Sequence, residues 1–222
     1  MWRIIKRVLL ALFILQFLYI FLLKWVNPPI TLTQLGSLFA GDGLKRSYVS
    51  MKEISPYAKL AVICSEDQLF PDHDGFDVKN IEKAIEHNEK SKKIRGASTI
   101  SQQVAKNVFL WQGRDWIRKG LEAYFTVMIE LVWGKKRILE MYLNVSEMGK
   151  GIYGIEAASR KYFNKPAKSL SRLEAAKIAA CLPNPKEYTV KPLSRYVAGK
   201  SAWIIGQMGI LQNKPSIQKL LQ

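Results

Sequence analysis

Trp116–Trp133, WIRKGLEAYFTVMIELVW, sets apolar side chains at Ile117, Leu121, Tyr124, Met128 and Leu131, a spacing of three and four that lines one side of an α-helix. Working outward, the same period recurs at Ile81–Lys93, Thr99–Trp111, Lys136–Leu143, Gly154–Phe163, Leu173–Leu182 and Val197–Leu211. Ser55 and Pro56 have the character of an N-cap and first helical residue, opening a helix through Ala61, Val62 and Ile63 toward Glu66. Ser171 with Glu174 forms a capping box, and Pro183 and Pro185 stop the helix it opens. With no alternating strand pattern of similar length, the sequence predicts a mainly α domain.

Lys and Arg outnumber Asp and Glu 34 to 18, a formal charge of +16 that calls for an anionic partner. Charge alone does not choose among nucleic acid, acidic lipid and a phosphorylated substrate. The N-terminus does. Val8–Leu23 (VLLALFILQFLYIFLL) is uncharged, follows Arg3, Lys6 and Arg7, and is closed by Lys24 and Trp25. Crossing hydrocarbon takes roughly 20 residues at ~1.5 Å each, and the flanking Lys and Trp can snorkel to complete the span. No small-x-small cleavage site follows, so a retained anchor is expected, with its cationic end in the cytoplasm and the rest outside. The expected organisation is a cytoplasmic N-terminus over 1–7, a transmembrane helix over 8–26, a linker over 27–49 and a catalytic domain over 50–222. An outward domain disfavours nucleic acid. Cys64 and Cys181 are too few for a disulfide framework and fall in apolar helical stretches, which predicts buried thiols.

Three stretches can carry chemistry. Glu66–Gly75, EDQLFPDHDG, packs four acids and His73 around Leu69, Phe70 and Pro71. A carboxylate at a helix C-terminus meets the negative end of the dipole, worth only ~0.3–1 kcal/mol, so burial must supply most of any rise in pKa toward general-base range. On these residues alone an ordinary acidic loop explains the stretch as well. Asp72, His73 and Asp74 are consecutive and lack a second histidine nearby, which disfavours a histidine-based metal site.

Arg95–Asn107, RGASTISQQVAKN, opens a helix with the capping box Thr99–Gln102, and Thr99, Gln103 and Lys106 share one face. Such a helix opening suits a phosphate, although a capped surface helix has the same spacing. In RKGLE, Arg118 and Glu122 meet at i, i+4 beside Lys119; an exposed pair of this kind contributes only ~0.2–0.5 kcal/mol. Asp77–Arg95, rich in Glu and Lys, reads as a solvated charged helix or a flap over a cleft.

EDQLFPDHDG, GASTISQQVAKN, RKGLE, KKRILEMYLN and GIYGIEAASRKYF together resemble, in order and spacing, the peptidoglycan glycosyltransferases, including the glycosyltransferase domain of class A penicillin-binding proteins. The similarity covers about Pro56–Pro185. No transpeptidase-sized region follows, so the chain resembles the monofunctional form. Gly96–Ala97 stands where many members have paired glycines, and Ser101 where many have threonine. The resemblance implies a lysozyme-like helical fold with a larger lobe and a small membrane-dipping jaw. It implies Glu66 as general base and Glu122 as the second catalytic carboxylate. Asp67, Phe70 and His73 would shape the first-motif loop, while Ser98, Thr99, Gln103, Lys106, Asn107, Arg118 and Lys119 would line the donor and pyrophosphate region. Asn144 would brace the lobe.

The implied substrates are lipid II and the growing glycan chain, at the outer face of the bacterial cytoplasmic membrane, with phospholipid and other cell-wall synthesis or division proteins as partners. No cofactor is required, although a divalent cation, Mg or Mn, has room beside Asp67 or Glu122. Two other readings compete. A lysozyme-like hydrolase or lytic enzyme also uses a helix-end glutamate but leaves the cationic residues idle. A membrane-tethered scaffold for anionic lipid would not need Glu66 at all.

Overall fold

Side-chain caps set most of the helix starts. The Tyr57 amide donates to Ser55 Oγ at 3.2 Å, and the predicted boxes at Thr99–Gln102 and Ser171–Glu174 both close. The computed structural model describes residues 1–91, 96–113 and 115–222. Its helices are α1 (Trp2–Leu22), α2 (Leu32–Phe39), α3 (Pro56–Glu66), α4 (Val78–Lys90), α5 (Ile100–Phe109), α6 (Trp116–Trp133), α7 (Lys135–Val145), α8 (Ile155–Phe163), α9 (Arg172–Ala179), α10 (Arg195–Leu211) and α11 (Pro215–Leu221). A three-stranded sheet of β1 (Lys45–Arg46), β2 (Glu147–Gly149) and β3 (Ile152–Tyr153) has the order β1-β3-β2, with β1 parallel and β2 antiparallel to β3. The chain is mainly helical as expected. So short a sheet leaves no alternation to detect in the sequence.

Helix α3 is the central strut. Ala58 to Cys64 are all buried, and α9, α10 and α11 pack around them. Even Lys59 is buried, its Nζ donating to the Leu221 carbonyl at 2.9 Å and so tying α11 to the strut. A second group joins α5 to α6, α7 and α2. Phe109 of α5 stacks on Phe125 of α6 with centroids 4.6 Å apart. Asn144 is fully buried and latches residue 49 to α7: its Oδ1 accepts from the Val49 amide and its Nδ2 donates to the Val49 carbonyl, both at 2.9 Å. This is the geometry of a brace.

Two expectations change and a third is met in part. The stretch 27–49 is not simply a linker: Thr31 and Gln34 form a capping box, and α2 packs on α5 while β1 pairs with β3. Of the apolar stripe of α6, only Tyr124 and Met128 pack, partly buried, against the core. Ile117 and Leu131 are each 76 % exposed and Leu121 is exposed, whereas Arg118, Glu122, Phe125, Thr126, Ile129 and Trp133 form the buried side. An outward apolar stripe suits a second apolar phase, which periodicity cannot distinguish from a core. Within Asp77–Arg95, Asp77 caps α4 through Asn80, giving the charged helix; residues 92–95 lie outside the described residues.

Helix α1 is long and apolar enough to cross a membrane, and almost all of it is exposed. Cys64 and Cys181 are both buried free thiols, and burial pushes each up to about 12.

Candidate active site

Glu66 is the last residue of α3, and its carboxylate is held by two neighbours. Ser65 Oγ donates to Oε1 at 3.0 Å and Gln103 Nε2 to Oε2 at 3.1 Å. Burial nevertheless raises its pKa above the ordinary glutamate value, with Gln103, Ser65 and Lys200 opposing. Desolvation therefore outweighs two hydrogen bonds, as is needed to bring a carboxylate toward general-base range. Tyr142 OH donates to Gln103 Oε1 at 3.1 Å, extending the chain to Glu66–Gln103–Tyr142.

That chain joins two cavities. The first, about 700 Å³, is lined by Glu66, Asp67, Gly96 to Thr99, Lys200 and Trp203 among others. The second, about 490 Å³, is lined by Gln103, Lys106, Asn107, Tyr142 and part of α2. Glu66 in one cavity and Lys106 in the other leave room for two molecules to lie on either side of the Gln103 bond.

Asp67 and His73 form a clamp behind Glu66. The Gly75 amide donates to His73 Nδ1 at 3.1 Å, which leaves the proton on Nε2, 3.0 Å from Asp67 Oδ2. The same Oδ2 accepts from the Ile100 amide at 3.0 Å. Thr99 Oγ1 accepts the Gln102 amide and donates to the Gly75 carbonyl. The opening of α5, expected to suit a substrate phosphate, is thus already occupied by Asp67 and by its own cap. Phe70 is fully buried, with Lys135 Nζ 4.8 Å from its ring centroid. Lys135 also donates to the His73 carbonyl and, at 2.6 Å, to Glu130, which in turn accepts from Ser101 Oγ at 2.5 Å. The first-motif loop is therefore fixed to α5, α6 and α7 at once.

Gly75 lets that loop close. Its φ is +93°, and a Cβ there would lie 2.7 Å from Thr126 Cγ2 and 3.1 Å from Glu130 Cγ. Gly75→Ala is expected to lower stability by about 1–3 kcal/mol and to reduce activity by pulling His73 off Asp67. Denaturant unfolding beside a polymerisation assay checks this.

The cationic residues gather near Lys106. Arg118 Nη1 and Lys119 Nζ reach the two oxygens of Glu122 at 2.7 and 2.5 Å, and Arg118 and Glu122 are both buried. This is no exposed ion pair. Burial lowers the Lys106 pKa, with Glu122 opposing and Arg118 and Lys119 adding to the fall. Arg118 Nε is buried without a hydrogen-bond partner among the described residues. Asn107 faces the second cavity, and Ser98 is exposed beside the first.

Sequence reasoning missed Lys200, Trp203, Tyr142 and Ser65. Lys200 Nζ sits 3.7 Å from the Trp203 ring centroid in the first cavity, and the Glu66 charge partly offsets the fall in its pKa caused by burial. Lys200 and Trp203 at i, i+3 on α10 were the available signal, but nothing local points such a pair at Glu66. The two carboxylates offered for a divalent cation are engaged elsewhere, Asp67 with His73 and Ile100 and Glu122 with Arg118 and Lys119. No group of three His, Cys, Asp or Glu side chains suited to a metal occurs among the described residues. This donor set does not fit a cation.

A helical domain holding a half-buried, hydrogen-bonded glutamate between a substrate-sized cavity and a cationic cluster has the parts of a glycosyl-transferring enzyme. Residues 33–209 match the transglycosylase family, and the chain belongs to it. It is 58 % identical over 173 residues to the biosynthetic peptidoglycan transglycosylases of Escherichia coli (strain K12 / DH10B) and Shigella boydii serotype 4, covering 78 % of this chain and 72 % of each relative. It is a glycosyltransferase of peptidoglycan synthesis.

Proposed function

We propose that the chain polymerises lipid II into β-1,4-linked glycan with inversion, releasing polyprenyl pyrophosphate. The observation that carries this reading is the Glu66–Gln103–Tyr142 chain between the two cavities. The acceptor sugar occupies the first cavity, where Glu66 takes the proton of its 4-hydroxyl. That oxygen forms the new bond to the anomeric carbon of the growing chain, which lies in the second cavity. The bond from that carbon to the pyrophosphate oxygen breaks, and the electron pair leaves with the pyrophosphate. Lys106, Arg118 and Lys119 set three positive charges against the one of Glu122 where that charge develops. Arg118 Nε, which has no hydrogen-bond partner among the described residues, is a donor in reserve for it. Glu122 itself holds the two cations in place.

Helix α1 is the anchor, its N-terminus in the cytoplasm and the domain on the outer face of the cytoplasmic membrane. The outward stripe of α6, headed by Trp116 at 92 % exposure, belongs in the outer leaflet, so the substrate's lipid tail stays in the bilayer. A hydrolase would have no use for the cationic cluster. The test is product analysis: each disaccharide added should release one polyprenyl pyrophosphate, and muramidase should return the polymer to disaccharide units. Polymer without pyrophosphate release would reject the proposed leaving group.

A further inference from the structure

The apolar run of α1 contains one polar residue, Gln16, and that residue is not left to lipid. Its Nε2 donates to Tyr124 OH of α6 at 2.7 Å. One and two turns on, Ile20 and Leu23 are 0 % and 1 % exposed, while the other residues from Trp2 to Leu22 are exposed. Gln16, Ile20 and Leu23 recur at i, i+4 and i+7, so a single face of the anchor meets the domain. Backbone carbonyls continue the seam. Trp133 Nε1 donates to the Ile20 carbonyl at 2.7 Å, and Arg137 donates to the Leu23 and Val26 carbonyls at 2.8 and 2.9 Å, occupying acceptors that the end of α1 leaves free. Tyr19 sets its ring edge-on to Phe109, which stacks on Phe125. Phe109 ends α5, the helix that carries Gln103 and Lys106.

We propose that Gln16 is a positioning residue: through Tyr124 it fixes how deep α6 and the adjoining cleft sit in the outer leaflet, so that the cleft meets the pyrophosphate of a membrane-held substrate. This rests on α1 spanning the membrane. Gln16 lies six residues before the end of α1, so its contact with Tyr124 lies roughly 9 Å down the helix from that end. At that depth no water competes, and each of the two side chains is the other's partner. Sliding or rotating α1 would leave an amide and a phenol unpaired in hydrocarbon. The anchor is therefore a gauge of depth, not a slack tether.

The test uses the full chain in phospholipid vesicles containing lipid II, with Gln16→Leu, Tyr124→Phe and the double variant. Gln16→Leu keeps the segment apolar, so insertion is preserved. The expected result is a rise in KM on the order of 3- to 10-fold for either single variant, with kcat within about twofold and the double variant no worse than the singles. In detergent micelles, where there is no bilayer depth to fix, all variants should match the parent. A fluorophore on Leu131→Cys reads position directly, because Leu131 is exposed and both native thiols are buried. Lipid-borne quenchers should find it deeper in the parent than in Gln16→Leu. Unchanged KM and depth would overturn the proposal, as would equal losses in vesicles and detergent with a lowered Tm, which is the mark of a role in folding alone. A label that no lipid-borne quencher reaches in the parent chain would overturn the membrane reading and this proposal with it, even where polymer still forms.

Discussion

Glu66→Gln is expected to lower polymerisation by about 10²- to 10⁴-fold while the protein stays folded and still binds lipid II. The amide preserves shape and can keep a bond to Gln103, but it accepts no proton. Stability should move the other way. Burial raises the Glu66 pKa, so the folded chain binds this proton more tightly than the unfolded chain does. The carboxyl thus favours folding below its unfolded pKa, and that contribution is lost as pH rises through the folded value. Above its unfolded pKa this desolvated carboxyl works against the fold, and Gln removes it, so Glu66→Gln should melt higher than the parent at pH 7 and by less near pH 4. The same shift places the acid limb of the parent's pH–rate profile above the ordinary glutamate value of ~4.3. Thermal unfolding at two pH values beside the rate assay checks both signs.

Lys106→Met is expected to reduce kcat by about 10²- to 10³-fold, with a smaller change in KM, because the charge it meets develops as the pyrophosphate leaves. Methionine keeps most of the side chain's apolar length, which separates loss of charge from loss of packing. The cluster around Lys106 should itself persist, since Arg118 and Lys119 each bond Glu122 directly. Single-turnover rates with preformed glycan as donor measure the chemical step. A variant that lost affinity alone would assign Lys106 to uniform binding of substrate and transition state.

The helices were legible where a local signal fixes an end. Asp115 caps α6 through the Arg118 amide, and Gly134 follows Trp133 with φ 75°, so the predicted span Trp116–Trp133 is the observed one. Which way that helix faces was not legible. Ile117, Leu121 and Leu131 have the period of a core face and point away from it, while Arg118 and Glu122 have the look of a surface pair and are buried. Local pattern reports that two faces differ, not which phase each one meets. The Thr31–Gln34 box was present in the sequence but hidden between Pro28–Pro29 and three glycines that suggest a linker.

Glu66, Gln103 and Lys106 were recognisable from their motifs; the fold joins Glu66 to Gln103 by a hydrogen bond and sets Gln103 and Lys106 in the lining of one cavity. What stayed hidden was long-range. Asp67 reaches across 33 positions to the Ile100 amide and fills the helix opening that had looked free for phosphate. No spacing rule predicts such a bond, because it depends on where α3 ends relative to α5.

The central claim is the direction of the chemistry: Glu66 extends glycan and does not cleave it. The most direct test is to incubate the purified chain separately with lipid II in vesicles and with purified cell-wall sacculi. The structure predicts polymer from lipid II and no release of soluble fragments from sacculi. Sacculi dissolved, with no polymer from lipid II, would contradict it.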